Sequence, residues 1–165
     1  MRALLTVAVL TCCAHASGAE PPGPGETFDR LRSLVGEWKA ELPGFGQMTN
    51  SIRLVSNGKA IEETIGTPAD NETSIYMRDG DRLLLTHFCT LTPDGHIARL
   101  TTKVLTGNPD QLEFNFVGAS NLHQPSAPHM KRVVITFEDG GHFSEKWTEI
   151  ASGKETVFDL KFHRQ

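Results

Sequence analysis

The stretch HFSEKWTEIASGKETVFDLKFHR, residues 142–164, decides how the chain folds. Phe143, Glu145 and Trp147 stand at alternate positions before Ser152-Gly153, and Phe158, Leu160 and Phe162 do so after it. A period of two belongs to a strand, whose side chains point to opposite faces in turn. Ser152-Gly153 reads as a two-residue hairpin turn, and turn length fixes register. Trp147 then lies opposite Phe158, Glu145 opposite Leu160 and Phe143 opposite Phe162. Glu155, Asp159, Lys161 and His163 take the other face, toward water. One carboxylate, Glu145, is left on an otherwise apolar face.

The same logic extends upstream. A three-residue turn at Asp139-Gly140-Gly141 sets Phe137 opposite Phe143, Ile135 opposite Glu145 and Val133 opposite Trp147, whereas a two-residue turn would mix polar and apolar faces. Further turn signals recur at Pro43-Gly44, Asn57-Gly58, Asp79-Gly80, Pro93-Asp94-Gly95 and Gly107-Asn108-Pro109-Asp110. Strands are expected near 36–42, 47–56, 59–66, 73–78, 82–90, 97–106, 111–117, 131–138, 142–150 and 154–163. The fold class is therefore all-β, an up-and-down antiparallel barrel of about ten strands, because closure removes exposed sheet edges. Residues 20–26 (EPPGPGE) read as a Pro/Gly-rich linker without regular structure. A short helix is expected over 27–34, capped by Thr27, with Phe28, Leu31 and Leu34 at helical spacing. No internal repeat is visible, and 27–165 reads as a single domain.

Two more hairpins place chemistry-bearing side chains. Asn57-Gly58 pairs Leu54 with Ile61, Ile52 with Glu63 and Asn50 with Ile65, so Glu63 joins Glu145 on the apolar side. Asp79-Gly80 pairs Tyr76 with Leu83, Ser74 with Leu85 and Glu72 with His87. That gathers Tyr76, Leu83, Leu85, His87 and Cys89 on one face and Ile75, Met77, Leu84 and Phe88 on the other, leaving open which side is inward. Gly118 to Met130 reads as the one long connection, a lid or an exposed crossover.

Composition narrows the function classes. The 165 residues are 38% hydrophobic and 22% charged with a formal charge of −4, and no apolar run reaches the roughly 18 residues of a membrane helix. Met1 to Ala19 has the layout of a secretory signal, with Arg2, an apolar stretch over Ala3 to Cys13, and Ser17-Gly18-Ala19 at its end. Without it the chain keeps 15 basic against 20 acidic side chains, net −5. Such a chain lacks the basic stripe of a nucleic-acid binder. Cys12 and Cys13 leave with the signal, so Cys89 is the one cysteine of the exported chain and an intramolecular disulfide is excluded. The expected location is the periplasm or the outside of the cell.

Gly36-Glu37-Trp38 at the start of the first strand and Arg164 near the end of the last resemble the lipocalin and calycin signature. The resemblance implies that the Trp38 ring closes the barrel floor with Arg164 packed over it through a cation-π contact. The chain is also similar to a family of small, uncharacterised, often exported lipocalin-like bacterial proteins, visible in Gly80 to Cys89, in His142-Phe143 with Trp147-Thr148, and in Gly58 to Thr64. That family has Tyr at the position of Phe88 and a Gly-Asn-Gln-Pro-Arg-Met segment where this chain runs Thr90 to His96. The likeness implies a ten-strand barrel able to hold a small molecule, with no assigned reaction.

The candidate ligand-binding residues are Glu63, Tyr76, His87, Cys89 and Glu145. Ionised carboxylates among Ile, Leu and Phe need a donor, water or a proton; Glu63 and Glu145 could orient a polar head group, act as acid and base, or be hydrated lumen residues. His87 and Cys89, two apart on one strand, are close enough to share a metal with Glu63 or Tyr76. A strong zinc signature would add a second compact ligand pair, absent here, so a histidine hydrogen-bonded to Glu72 or Tyr76 beside an inert thiol is the reading adopted, with no metal and no cofactor assigned. The expected activity is non-enzymatic binding of a small lipophilic molecule. Two alternatives stand beside it: a haem-binding barrel similar to nitrobindin, resting on His163, which parity turns outward; and a metal-dependent enzyme using His87, Cys89, Glu63 and Glu145. No Gly-x-Ser-x-Gly elbow, phosphate loop or zinc-protease helix is present to name a reaction.

Overall fold

A computed structural model describes residues 23–90, 92, 94–102, 108, 110–124 and 126–165. The expected signal over 1–19 lies outside the described residues. After α1 (Pro24–Arg32) come β1 (Gly36–Leu42), β2 (Gly46–Val55), β3 (Ala60–Gly66), β4 (Asn71–Asp79), β5 (Arg82–Cys89), β6 (His96–Thr102), β7 (Gln111–Ser120), β8 (His129–Asp139), β9 (His142–Ala151) and β10 (Lys154–Arg164). Every strand pairs antiparallel with its chain neighbours, and β1 pairs with β10 to close the barrel. The fold is thus a closed ten-strand antiparallel barrel with one short helix on its N-terminal side. Among the described residues no helix is long and apolar enough to cross a membrane.

Three of the registers follow from turn length as expected. Trp147 faces Phe158, Glu145 faces Leu160, and Phe143 faces Phe162. Ile52 meets Glu63, and Ile135 meets Glu145. The β8–β9 connection reaches that pairing by a different route: Asp139 faces His142 across Gly140-Gly141, and a bulge between Phe137 and Asp139 absorbs the extra residue.

The β4–β5 hairpin corrects the expected register by two residues. Its turn is Gly80-Asp81, with Asp79 opposite Arg82, Tyr76 opposite Leu85 and Ser74 opposite His87. Gly80 has φ +63° and occupies the first turn position, where a left-handed conformation favours glycine. A slip of two preserves parity, so Tyr76, Leu83, Leu85, His87 and Cys89 still share the inward face, and all five are buried.

The helix also begins earlier than expected. It starts at Pro24, inside the segment read as irregular, and a proline in the first turn costs little because that N–H has no helical partner. Gly23 is the N-cap residue; Thr27, expected as the cap, is buried within the helix. The long connection is shorter than 118–130, since β7 extends to Ser120 and β8 begins at His129.

Phe28, Leu31 and Leu34 are buried and seal one end of the barrel. At that end the Trp38 indole N–H donates to the Leu34 carbonyl at 2.8 Å, and the Arg164 guanidinium lies 4.1 Å from the Trp38 ring centroid. Arg164 also donates to the carbonyls of Val35, Ser33 and Gly140, tying the last strand to the end of the helix. Gly36 has φ +146°, and a Cβ there would stand 2.5 Å from Arg164 Nη1, so the motif needs glycine both for its backbone and for space. Phe143 packs edge-on against Trp38 and stacks on Phe162, completing an aromatic floor.

Candidate functional site

Above the floor, β2, β3, β4 and β9 bring Asn50, Glu63, Tyr76 and Glu145 together. All four are buried, Glu63 and Glu145 each 1% exposed. Asn50 Nδ2 donates to Glu63 Oε1 and the Tyr76 hydroxyl to Glu63 Oε2, both at 2.6 Å. Glu145 hydrogen-bonds Glu63 and accepts from the Trp147 indole N–H at 2.8 Å. Burial, reinforced by the charge of Glu63, pushes the Glu145 carboxyl well above the usual range. Glu145 therefore keeps its proton and shares it with Glu63, whose two oxygens also accept from Asn50 and Tyr76. Burial and the two neighbouring acids likewise raise the Tyr76 phenol, which keeps its proton for Glu63.

This network continues to His87. Ser74, two residues before Tyr76 on the same face of β4, offsets part of the rise in the Tyr76 phenol, and its Oγ lies 3.0 Å from His87 Nδ1. The His87 ring then packs on Trp147 with centroids 4.7 Å apart. His87, Ser74, Tyr76, Glu63, Glu145 and Trp147 form one continuous buried cluster, polar along most of its length and closed by the ring contact between His87 and Trp147. Two polar atoms of the network, Asn50 Oδ1 and His87 Nε2, have no hydrogen-bond partner among the described residues.

The cluster separates two spaces of unequal size. On the helix side, Glu63, Tyr76 and Glu145 border a void of about 10 Å³ with Leu31, Leu34, Ile52, Ile61 and Ile135. That holds about one water at most. On the other side, a cleft of about 180 Å³ runs to the surface. Its walls are apolar, with Leu42, Met48, Ile65, Met130, Trp147 and Leu160 inside and Phe45 edge-on to Phe158 at the mouth. His87 and Glu72 supply its polar floor.

The five candidate residues are thus divided. His87 alone lines the cleft; Glu63, Tyr76 and Glu145 surround the small void. Cys89 is buried behind the cleft, facing a groove that includes Thr90, Asp94 and His96. Asn50 and Ser74 contact Glu63 and His87, and Thr90 holds Glu72 beside His87, and sequence reading passed over all three. Asn50 and Ser74 carried a usable signal, since each is a polar residue at an inward parity position, the same signal that singled out Glu63.

Glu72 completes the cleft floor. Its Oε1 accepts from the Thr90 backbone N–H at 2.8 Å and the Thr90 hydroxyl at 2.9 Å, while Oε2 lies 3.3 Å from His87 Nε2. Burial pushes this carboxyl up, but contact with His87 and the Thr90 donors outweigh it and bring it to about 2. The His87 Nε2 contact is close enough for charge but out of line for a hydrogen bond, and that nitrogen has no hydrogen-bond partner. Glu72, His87 and Cys89 each present a ligand atom, and these lie within 4.8 Å of one another. Across the β5–β6 ladder from Cys89, His96 is buried with neither ring nitrogen hydrogen-bonded. His163 is exposed, on the outer face opposite Lys39 and His142, and offers no ligand to the interior.

No protein-family model and no curated protein matches the chain. Among solved structures it is similar to a protein of unknown function from the DUF3598 family of Nostoc punctiforme, at 14% sequence identity and a TM-score of 0.51. The match covers 82% of this chain and 49% of that one, so the chain spans about half the length of its structural neighbour. At that identity the likeness is one of fold: a ten-strand antiparallel barrel whose architecture is shared with a DUF3598 protein.

Proposed function

We propose that this chain is an exported, non-enzymatic barrel of lipocalin type that binds a small, mostly apolar molecule in the cleft between Phe45 and His87. The observation that carries the reading is an apolar cleft ending on an imidazole and a carboxylate, the arrangement expected of a site that buries a hydrocarbon body and orients one polar group. Its volume of about 180 Å³ is below the roughly 300–1,000 Å³ of sites for drug-sized ligands, which selects a short chain or a compact ring compound. Glu63 and Glu145 support the site from behind, by fixing Trp147 and, through Tyr76 and Ser74, His87. The composition of residues 1–19 supports export, and the Trp38 and Arg164 floor supports the lipocalin comparison.

Titration with N-phenyl-1-naphthylamine, an apolar fluorescent probe, tests the reading. The wild-type protein should bind one equivalent saturably, and Met130→Trp, which fills the cleft, should abolish that binding while leaving the circular-dichroism spectrum intact. Equal binding by the filled variant, or an absence of saturable binding by the wild type, would overturn the cleft assignment. Export is tested separately by the N-terminal mass of protein recovered outside the cytoplasm, expected to begin at Glu20.

A further inference from the structure

We infer that Glu72, His87 and Cys89 form a binding site for a divalent transition-metal ion, with zinc(II) as the chemical type. The inference does not depend on an occupant in the apolar cleft. Its first support is the donor set itself, one carboxylate oxygen, one imidazole nitrogen and one sulfur, all within 4.8 Å of one another. A tetrahedral zinc site spaces such atoms about 3.3–3.8 Å apart, given metal–ligand bonds of about 2.0–2.3 Å. Closing the cluster to that spacing takes shifts of the order of 1 Å.

The second support is independent of composition. Ser74 Oγ holds His87 Nδ1 at 3.0 Å, which turns Nε2 toward Glu72 Oε2 at 3.3 Å, where it makes no hydrogen bond. A buried imidazole nitrogen and a carboxylate oxygen held this close call for a cation between them, a metal ion or the imidazole's own proton. His87 is 1% exposed and its Nε2 makes no hydrogen bond, so the geometry is that of a nitrogen presented to a cation rather than to a donor.

The third support is the outer layer. Metal-ligating histidines pass their second N–H to a hydrogen-bond acceptor, and ligating carboxylates are themselves held by donors. Ser74 Oγ stands 3.0 Å from His87 Nδ1, in place to do the first, and Thr90 does the second by engaging only Oε1 of Glu72. Three protein ligands leave a fourth position for water or an oxygen-bearing ligand, the pattern of open zinc sites. Binding converts the Cys89 thiol to a thiolate and releases its proton to the buffer.

Cobalt(II) and zinc(II) titrations of the reduced protein test this. The wild type should bind one equivalent of cobalt(II), with a near-ultraviolet thiolate-to-metal charge-transfer band that zinc(II) displaces. Cys89→Ser should lose the band, and Glu72→Gln and His87→Ala should bind zinc(II) at least tenfold more weakly. Ser74→Ala should weaken it by about 10–100-fold through the outer layer alone. His163→Ala, which removes an exposed imidazole, should change nothing. Should His87→Ala fail to fold, Glu72→Gln and Cys89→Ser, read with their circular-dichroism spectra, carry the test. Absence of the thiolate band in the wild type, or equal affinity in the wild type, Glu72→Gln and Cys89→Ser, would overturn the assignment and leave a proton as the only cation between His87 and Glu72. The apolar probe reports on the cleft alone, so failure of either reading is seen separately from the other.

Discussion

The two ends of the barrel interior are built from the same strands but solve opposite problems. At the helix end, Leu31 and Leu34 close over Glu63, Tyr76 and Glu145, and the residual void is about 10 Å³. At the mouth, Phe45 is largely exposed beside Phe158 and a cleft of about 180 Å³ persists. The difference lies in what each end places on its inward positions. The sealed end pairs every buried charge with donors and backs it with large aromatic rings. The open end carries flexible Met48 and Met130 and presents His87 and Glu72, whose mutual contact is incomplete. The first arrangement fixes a shape; the second leaves room and unsatisfied chemistry.

Substitutions at the sealed end should therefore act on stability. The largest effect is expected for Trp38→Ala, which removes the floor ring, its hydrogen bond to Leu34 and the surface under Arg164. A loss of about 3–5 kcal/mol should appear in denaturant unfolding. A loss below about 1 kcal/mol would mean that α1 and Arg164, not the tryptophan, hold the end closed. Tyr76→Phe should follow, at about 1–3 kcal/mol, because it strips one donor from a buried carboxylate. The double variant with Glu63→Gln should cost less than the sum of its parts, and additivity would break the claim that the two side chains act as one unit.

How far the sequence foretold these two ends differs for a physical reason. Strand parity is a local property, so Glu63 and Glu145 could be placed on the inner face from the turns at Asn57-Gly58 and Ser152-Gly153 alone. The floor was legible too, since a glycine two residues before Trp38 is a local pattern with a steric cause at Arg164. The position of a side chain along the barrel axis is not local. It depends on strand tilt and on where α1 packs, so nothing in the alternation said that the two acids lie beneath the helix while His87 lies at the cleft. The β4–β5 slip shows the limit most clearly. Placing the turn at Asp79-Gly80 in place of Gly80-Asp81 kept every face but moved His87 from Glu72 to Ser74 as cross-strand partner. The orienting contact of the imidazole was thereby hidden, as was the freedom of Glu72 to approach His87 from the side.

Glu145→Gln sharpens the comparison through pH. In the unfolded chain this carboxyl ionises near its ordinary 4.5, whereas in the barrel burial holds it protonated well above that. The folded state therefore binds the extra proton over that interval, and the stability contributed by Glu145 is full below about 4.5 and declines as pH rises. Glutamine keeps both contacts, donating to Glu63 and accepting from Trp147, with no proton to lose. Its thermal midpoint should pull ahead of the wild type progressively from about pH 5 to about pH 8. A constant difference across that range would show that Glu145 is ionised in the fold and that the shared proton does not exist.

The smallest stability effect is expected at the mouth, and it distinguishes the ends most directly. Phe45 is 66% exposed and touches Phe158 only edge-on, with centroids 6.4 Å apart. Phe45→Ala should change unfolding free energy by no more than about 0.5 kcal/mol, as for other surface positions. If the mouth is the entrance to a binding cleft, the same ring is buried further by an apolar occupant. Its loss should then weaken N-phenyl-1-naphthylamine binding by about tenfold, equivalent to about 1.4 kcal/mol. A variant that melts several degrees lower but binds the probe unchanged would reverse the assignment, making Phe45 a part of the core and the cleft a packing defect.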